Sequence, residues 1–83
     1  MKILYFARIR QIVGRGEDRI EPPPQVKTVR DLIDFLKARD EGCASAFADL
    51  RTIRVAVNKS HAGLDAELSG AQEVAFFPPV TGG

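Results

Sequence analysis

From Thr28 to Gly42 the apolar residues recur once per helical turn. Val29, Leu32, Ile33 and Leu36 fall at i, i+3, i+4 and i+7, the stripe of a helix with one buried face. Arg30, Asp34 and Lys37 fall on the other side. Thr28 offers a hydroxyl to the first turn, and Asp31 follows three residues later, close to a capping box. Gly42 is the expected stop. Elsewhere the pattern is that of strands. Lys2 to Ala7 is rich in strand formers and lacks clean alternation, so it predicts a strand buried on both faces. Ile53, Val55 and Val57 alternate with Arg54 and Ala56, a half-buried strand. Glu73 to Phe77 is the last strand, ended by Pro78 and Pro79, which have no N–H to give a ladder.

Weaker signals fill the gaps. Arg8 to Val13 predicts a short helical turn stopped by Gly14, and Arg19-Ile20-Glu21 a short second strand pairing back on the first. Pro22-Pro23-Pro24 is a stiff connection. Ser45 to Leu50 predicts a shorter helix with Phe47 and Leu50 inward. Asn58-Lys59-Ser60 is turn chemistry, and Leu64 and Leu68 are inward anchors of an irregular stretch. Strands grouped at both ends of a helical middle predict an α+β layer, with helices on one face of the sheet. A strand–helix–strand crossover then lets the first and last strands lie parallel in the centre.

Composition narrows the chemistry. Eighty-three residues allow a single domain, 1–83, with 78–83 as a flexible tail. Hydrophobic residues at 45% and charged residues at 28% are the balance of an ordinary globular chain. No apolar run reaches the ~18 residues of a membrane span. The first residues meet Arg8 and Arg10 too soon for a signal peptide, so the expected compartment is the cytoplasm and no membrane partner is expected. A net charge of +1 gives no chain-wide basic field for nucleic acid. With one cysteine, Cys43, and one histidine, His61, neither a disulfide, a zinc site nor a Ser-His-Asp centre is expected. Arg8, Arg10 and Lys59 are expected to be solvated.

The end of the sequence, Pro78-Pro79-Val80-Thr81-Gly82-Gly83, carries the functional signal. The prolines hold the exit extended. Gly82 and Gly83 have the narrowest cross-section a chain can have, and they are conformationally the most expensive residues to order. Such a tail suits threading a backbone through a tight channel so that its terminal carboxylate reaches a reactive centre. Phe76 and Phe77 precede it at neighbouring strand positions and should point to opposite faces. One is expected in the core, and the other as an exposed docking contact.

Val74-Ala75-Phe76-Phe77-Pro78-Pro79-Val80-Thr81-Gly82-Gly83 resembles the C-terminal signature of the small, sulfur-carrier subunits of molybdopterin synthase. Leu4-Tyr5-Phe6-Ala7-Arg8-Ile9-Arg10, Thr28-Val29 with Leu32, and Val55-Ala56-Val57-Asn58 match the same pattern. One departure is Ala71-Gln72, where the family usually has Gly-Asp; here Gly70 comes one step earlier. The resemblance implies a ubiquitin-like β-grasp fold with a mixed sheet and an extended C-terminal tail. It also implies that the chain is not an enzyme by itself. A ubiquitin-activating-like adenylyltransferase would use ATP to adenylate the carboxylate of Gly83, and a sulfur donor would displace AMP to leave a thiocarboxylate. Pro78, Pro79, Val80, Thr81 and Gly82 would be the tail that inserts into a channel of the large, catalytic subunit. There the sulfur passes to a cyclic pyranopterin monophosphate precursor, within a heterotetramer of two small and two large subunits. No cofactor or metal would be bound permanently. Related carriers for thiamine, cysteine or tRNA thiolation share the Gly-Gly end. A protein modifier joined through Gly83 to lysines and a binding module with an inert tail are the other readings.

Overall fold

The computed structural model describes residues 1–79. The elements run β1 (Lys2–Tyr5), α1 (Ala7–Val13), β2 (Glu17–Arg19), α2 (Val29–Arg39) and α3 (Glu41–Ala46). A 3-10 turn (Leu50–Thr52), β3 (Arg54–Val57), β4 (Ser60–Ala62) and β5 (Glu73–Phe77) follow. The strands form one mixed sheet in the order β2-β1-β5-β3-β4. β1 and β5 are parallel, with Ile3 opposite Val74 and Tyr5 opposite Phe76, and every other pair is antiparallel. The first and last strands are therefore central neighbours, as the crossover argument requires, in a β-grasp arrangement.

Local signals were accurate where they were strong. Thr28 Oγ1 accepts from the N–H of Asp31 at 3.1 Å, and Asp31 Oδ2 accepts from the N–H of Thr28 at 3.2 Å, a complete capping box. Val29, Leu32, Ile33 and Leu36 are all buried. Gly14 ends α1 in the left-handed conformation, φ 91°, which a residue without Cβ adopts freely.

The structure corrects several expectations. β1 is not buried on both faces: Ile3 and Tyr5 are buried, while Lys2 and Leu4 are half-buried, because helices cover only one side of the sheet. β2 is Glu17–Arg19, not Arg19–Glu21. The tight turn after α1 brings Gly16 back to accept from the N–H of Tyr5 at 3.0 Å, and that register sets Lys2 opposite Arg19. Gly42 is not a stop. α2 ends at Arg39, and Asp40 Oδ1 accepts from the N–H groups of Gly42 (2.7 Å) and Cys43 (3.2 Å) to start α3. A Cβ on Gly42 would lie 2.9 Å from the backbone oxygen of Val13, so glycine here permits α3 to approach the end of α1. The helix expected over Ser45–Leu50 accordingly lies earlier. Phe47 is fully buried, and Leu50 is partly buried in the 3-10 turn. β4 was not foreseen. Asn58 and Lys59, with φ of 49° and 71°, make a two-residue hairpin turn that returns Ser60 opposite Val57.

One polar network ties the first strands to the helices. The buried Tyr5 hydroxyl donates to Asp18 Oδ2 at 2.8 Å. Arg15 donates to both carboxylate oxygens of Asp18 at 2.7–3.0 Å and also pairs with Asp40. The Arg15 hydrogen bonds hold the Asp18 and Asp40 carboxyls below their usual range, and burial pushes the Tyr5 phenol well above its own. A buried hydroxyl with a charged acceptor is satisfied rather than costly.

Candidate functional site

The alternation of β5 sorts the aromatic pair that precedes the tail. Phe76 is 0% exposed. Its ring meets Phe47 edge-on at 4.8 Å and stacks near Tyr5 at 6.4 Å. It is therefore withdrawn as a docking candidate, since a partner cannot reach a ring enclosed by the core. Phe77 lies half-buried on the opposite face, with the His61 ring edge-on at 5.5 Å. It sits opposite Arg54.

Phe6 joins it at the same end of the sheet. Its backbone N–H donates to the oxygen of Phe76 at 3.0 Å, so the chain leaving β1 runs beside the end of β5. Its side chain is 46% exposed. Ala7 then turns into α1 with φ 51°, a left-handed conformation that costs a non-glycine residue about 1–2 kcal/mol. The sequence reading placed Phe6 inside a strand buried on both faces. Strict alternation through Ile3 and Tyr5 would have placed Leu4 and Phe6 on the other side. That side, free of helices, is an apolar strip. Leu4 is opposite Ala75, and Ala75 is opposite Ala56. Lys2, Glu17, Arg19 and Arg54 surround it.

Pro78 and Pro79 continue from β5, both half-buried. Val80, Thr81, Gly82 and Gly83 lie outside the described residues. At the other end of β5, Gly70 takes the positive φ of 76°. Asn58 Oδ1 accepts from the N–H groups of Gln72 (2.9 Å) and Glu73 (3.1 Å). Gly70 thus supplies the left-handed residue of the turn into β5, with Ala71-Gln72 in place of Gly-Asp.

Of the remaining candidates for chemistry, His61 lies against Phe77 and Arg8 beside Pro78 and Pro79, while Cys43 lies in the core. Cys43 is fully buried, 3.8 Å from the Tyr5 hydroxyl, and burial pushes its thiol up. A thiol so held is a poor nucleophile. Among the described residues no group of three or more His, Cys, Asp or Glu side chains is placed to hold a metal ion. Arg8, Arg10 and Lys59 are exposed. No helix among the described residues is long and apolar enough to cross a membrane. The arrangement offers presentation: a rigid strand end, an aromatic pair beside it, and a proline-led exit.

Comparison with known proteins agrees. The ThiS family matches residues 3–83. The chain is similar to the molybdopterin synthase sulfur carrier subunit of Escherichia coli (strain K12), 39% identical over 83 residues, covering 100% of this chain and 99% of that one. It is 30% identical to the subunit of the same name from Haemophilus influenzae, with the same coverage. Among solved structures it resembles SAMP1 from Haloferax volcanii, with a TM-score of 0.76 and 29% identity over 99% of this chain and 97% of that one. A putative molybdopterin converting factor, subunit 1, from Pyrococcus furiosus gives a TM-score of 0.70 and 35% identity over 95% of each chain.

Proposed function

The chain belongs to the ThiS family, and on that premise we propose that it is the sulfur carrier of a molybdopterin synthase, active in molybdenum cofactor biosynthesis. The observation that carries this is the end-to-end match to a sulfur carrier subunit at 39% identity, in a chain whose sequence finishes Pro78-Pro79-Val80-Thr81-Gly82-Gly83. Its partner is the large, catalytic subunit, which supplies the catalytic groups.

A carboxylate is a poor electrophile, so the carboxylate of Gly83 must be activated before sulfur is attached. An adenylyltransferase consumes ATP, joins AMP to the carboxylate and releases pyrophosphate. A sulfide donor then attacks the carbonyl carbon, the C–O bond to AMP breaks, and a thiocarboxylate remains. The loaded tail enters the catalytic subunit, and the sulfur passes to the cyclic pyranopterin monophosphate; two such deliveries make the dithiolene. Pro78 and Pro79 limit the conformations of the tail before insertion, which lowers the ordering cost. Phe77 and Phe6, at the strand end, supply the apolar contact beside the channel mouth.

The test is the intact mass after incubation with ATP, the activating enzyme and a sulfide source. The expected result is exchange of one oxygen for sulfur, localised by fragmentation to Gly83, and molybdopterin formation once the catalytic subunit and precursor are added. An unchanged mass, with an activating enzyme proven on its own substrate, overturns the reading. A loaded protein that yields no molybdopterin points instead to a thiamine, cysteine or tRNA thiolation carrier. Lysine-linked adducts on denaturing gels point to a modifier.

A further inference from the structure

On the helix side of the sheet, next to the tail root, lies a groove of about 630 Å³ between α1 and the end of α3. Pro78 and Pro79 form one wall, Arg8 and Ile12 of α1 another, and Ser45 and Ala48 a third. Ile12 is 38% exposed, one of the few large apolar side chains left in water. The groove and the aromatic pair flank the same strand end: Phe77 and Phe6 stand on the open face, and the groove on the helical one.

Charge separates the two ends of the groove. Asp49 on its rim is already engaged, accepting from Arg51 Nε at 3.0 Å and from the Arg51 backbone N–H at 3.0 Å. Arg8 makes no salt bridge among the described residues. The charge the groove presents is therefore the cation. A protein that takes the chain into a channel from Pro79 onward must close around both sides of the strand end. Contact on the open face alone would leave the groove beside Pro78 to water, whereas a rim that fills it buries Ile12 and packs the tail root from both sides.

We propose that this groove seats a segment of the catalytic subunit's channel rim, an apolar side chain over Ile12 and Ala48 with a carboxylate beside it paired to Arg8. The inference rests on the sulfur-carrier reading, and it adds a second contact surface, on the opposite face from Phe77.

The experiment measures the affinity of the unloaded full chain for the purified catalytic subunit by calorimetry, at two salt concentrations, with thermal melts and thiocarboxylation followed in parallel. Ala48→Trp fills the groove from an exposed position and should weaken binding by about tenfold or more. Arg8→Glu should weaken it comparably and remove much of the salt dependence, with Arg8→Lys restoring it in part. Both variants should melt as the unmodified chain does and accept sulfur from the activating enzyme at its rate. The proposal is overturned if Ala48→Trp and Arg8→Glu bind the catalytic subunit with unchanged affinity while Phe77→Ala does not. It is equally overturned if the two variants lose thiocarboxylation alone, which would assign the groove to the activating enzyme. If the unmodified chain itself binds no catalytic subunit, it is the sulfur-carrier reading that fails, which the groove variants alone would not show.

Discussion

Phe76 and Phe77 are the same side chain at consecutive positions of β5, yet the sheet gives them different surroundings. Phe76 falls with Ile3, Val55 and Val74 on the face that the helices cover, where exposure is 4% or less. Phe77 falls with Leu4, Ala56 and Ala75 on the face they leave open, where Leu4, Ala56 and Phe77 are half-buried and only the small Ala75 is buried. A pleated strand covered on one side can thus hold the domain together with alternate residues and offer the others to a partner. Stability and docking should be separable within a single strand.

The sharpest way to break that comparison is to truncate each ring in turn. Phe76→Ala removes a ring packed on Phe47 and Tyr5 and should cost about 3–5 kcal/mol in denaturant unfolding, enough to unfold much of a small domain. Phe77→Ala should cost under about 1.5 kcal/mol and should instead weaken binding to the catalytic subunit. Equal losses of stability would refute the division of the two faces.

Next in size is Gly42→Ala. Its Cβ would meet the backbone oxygen of Val13 at 2.9 Å, and backbone cannot swing aside as a flexible side chain does. Overpacking costs about 1–3 kcal/mol, against a helix-propensity gain of about 1 kcal/mol. A net loss of roughly 1 kcal/mol is expected in thermal melts.

Acid should expose the Arg15 network. Asp18 is lowered in the folded state, chiefly by the Arg15 hydrogen bonds and also by Tyr5. Below its unfolded value of about 3.9 the unfolded chain binds the proton more readily, so this contribution is full above that pH and drains away as pH falls toward the folded value. Asp18→Asn should therefore lower stability at neutral pH and flatten its fall between about pH 5 and 2. The flattening is partial, because Asp31, Asp40 and Asp49 are lowered as well. An unchanged slope would show that the network contributes nothing to acid sensitivity.

The smallest effect belongs to the open-face hairpin. Lys59 holds φ 71° in a turn whose favoured residues are Asn-Gly. Lys59→Gly should raise stability by a few tenths to about 1 kcal/mol, as relief of the left-handed strain outweighs the freedom gained by the unfolded chain. A lower melting temperature would contradict the turn geometry.

Strong short-range signals were legible. The Thr28–Asp31 box, the α2 stripe and the proline stop after Phe77 each depend on residues within a turn or a pleat of one another. Gly42 misled because glycine marks helix ends and close contacts alike, and only the position of Val13 decides which. Phe6 was hidden because β1 carries apolar residues on both faces, so its alternation was invisible without knowing where the helices sit. The groove beside Pro78 joins α1, α3 and the strand end, elements far apart in the chain, and left no local trace.

By itself the sequence determined the α+β order, the helix with its cap and the final strand, and it carried the Pro78-Pro79 to Gly82-Gly83 resemblance. Those features are encoded by neighbours, through hydrogen bonds and periodicities that span a few residues. Only the tertiary structure decided which phenylalanine is buried, where β2 registers, why Gly42 must be small and what stands beside the tail root. Each of those depends on which face of the sheet the helices cover and how closely distant segments approach, and burial is a property of that assembly rather than of any residue in it.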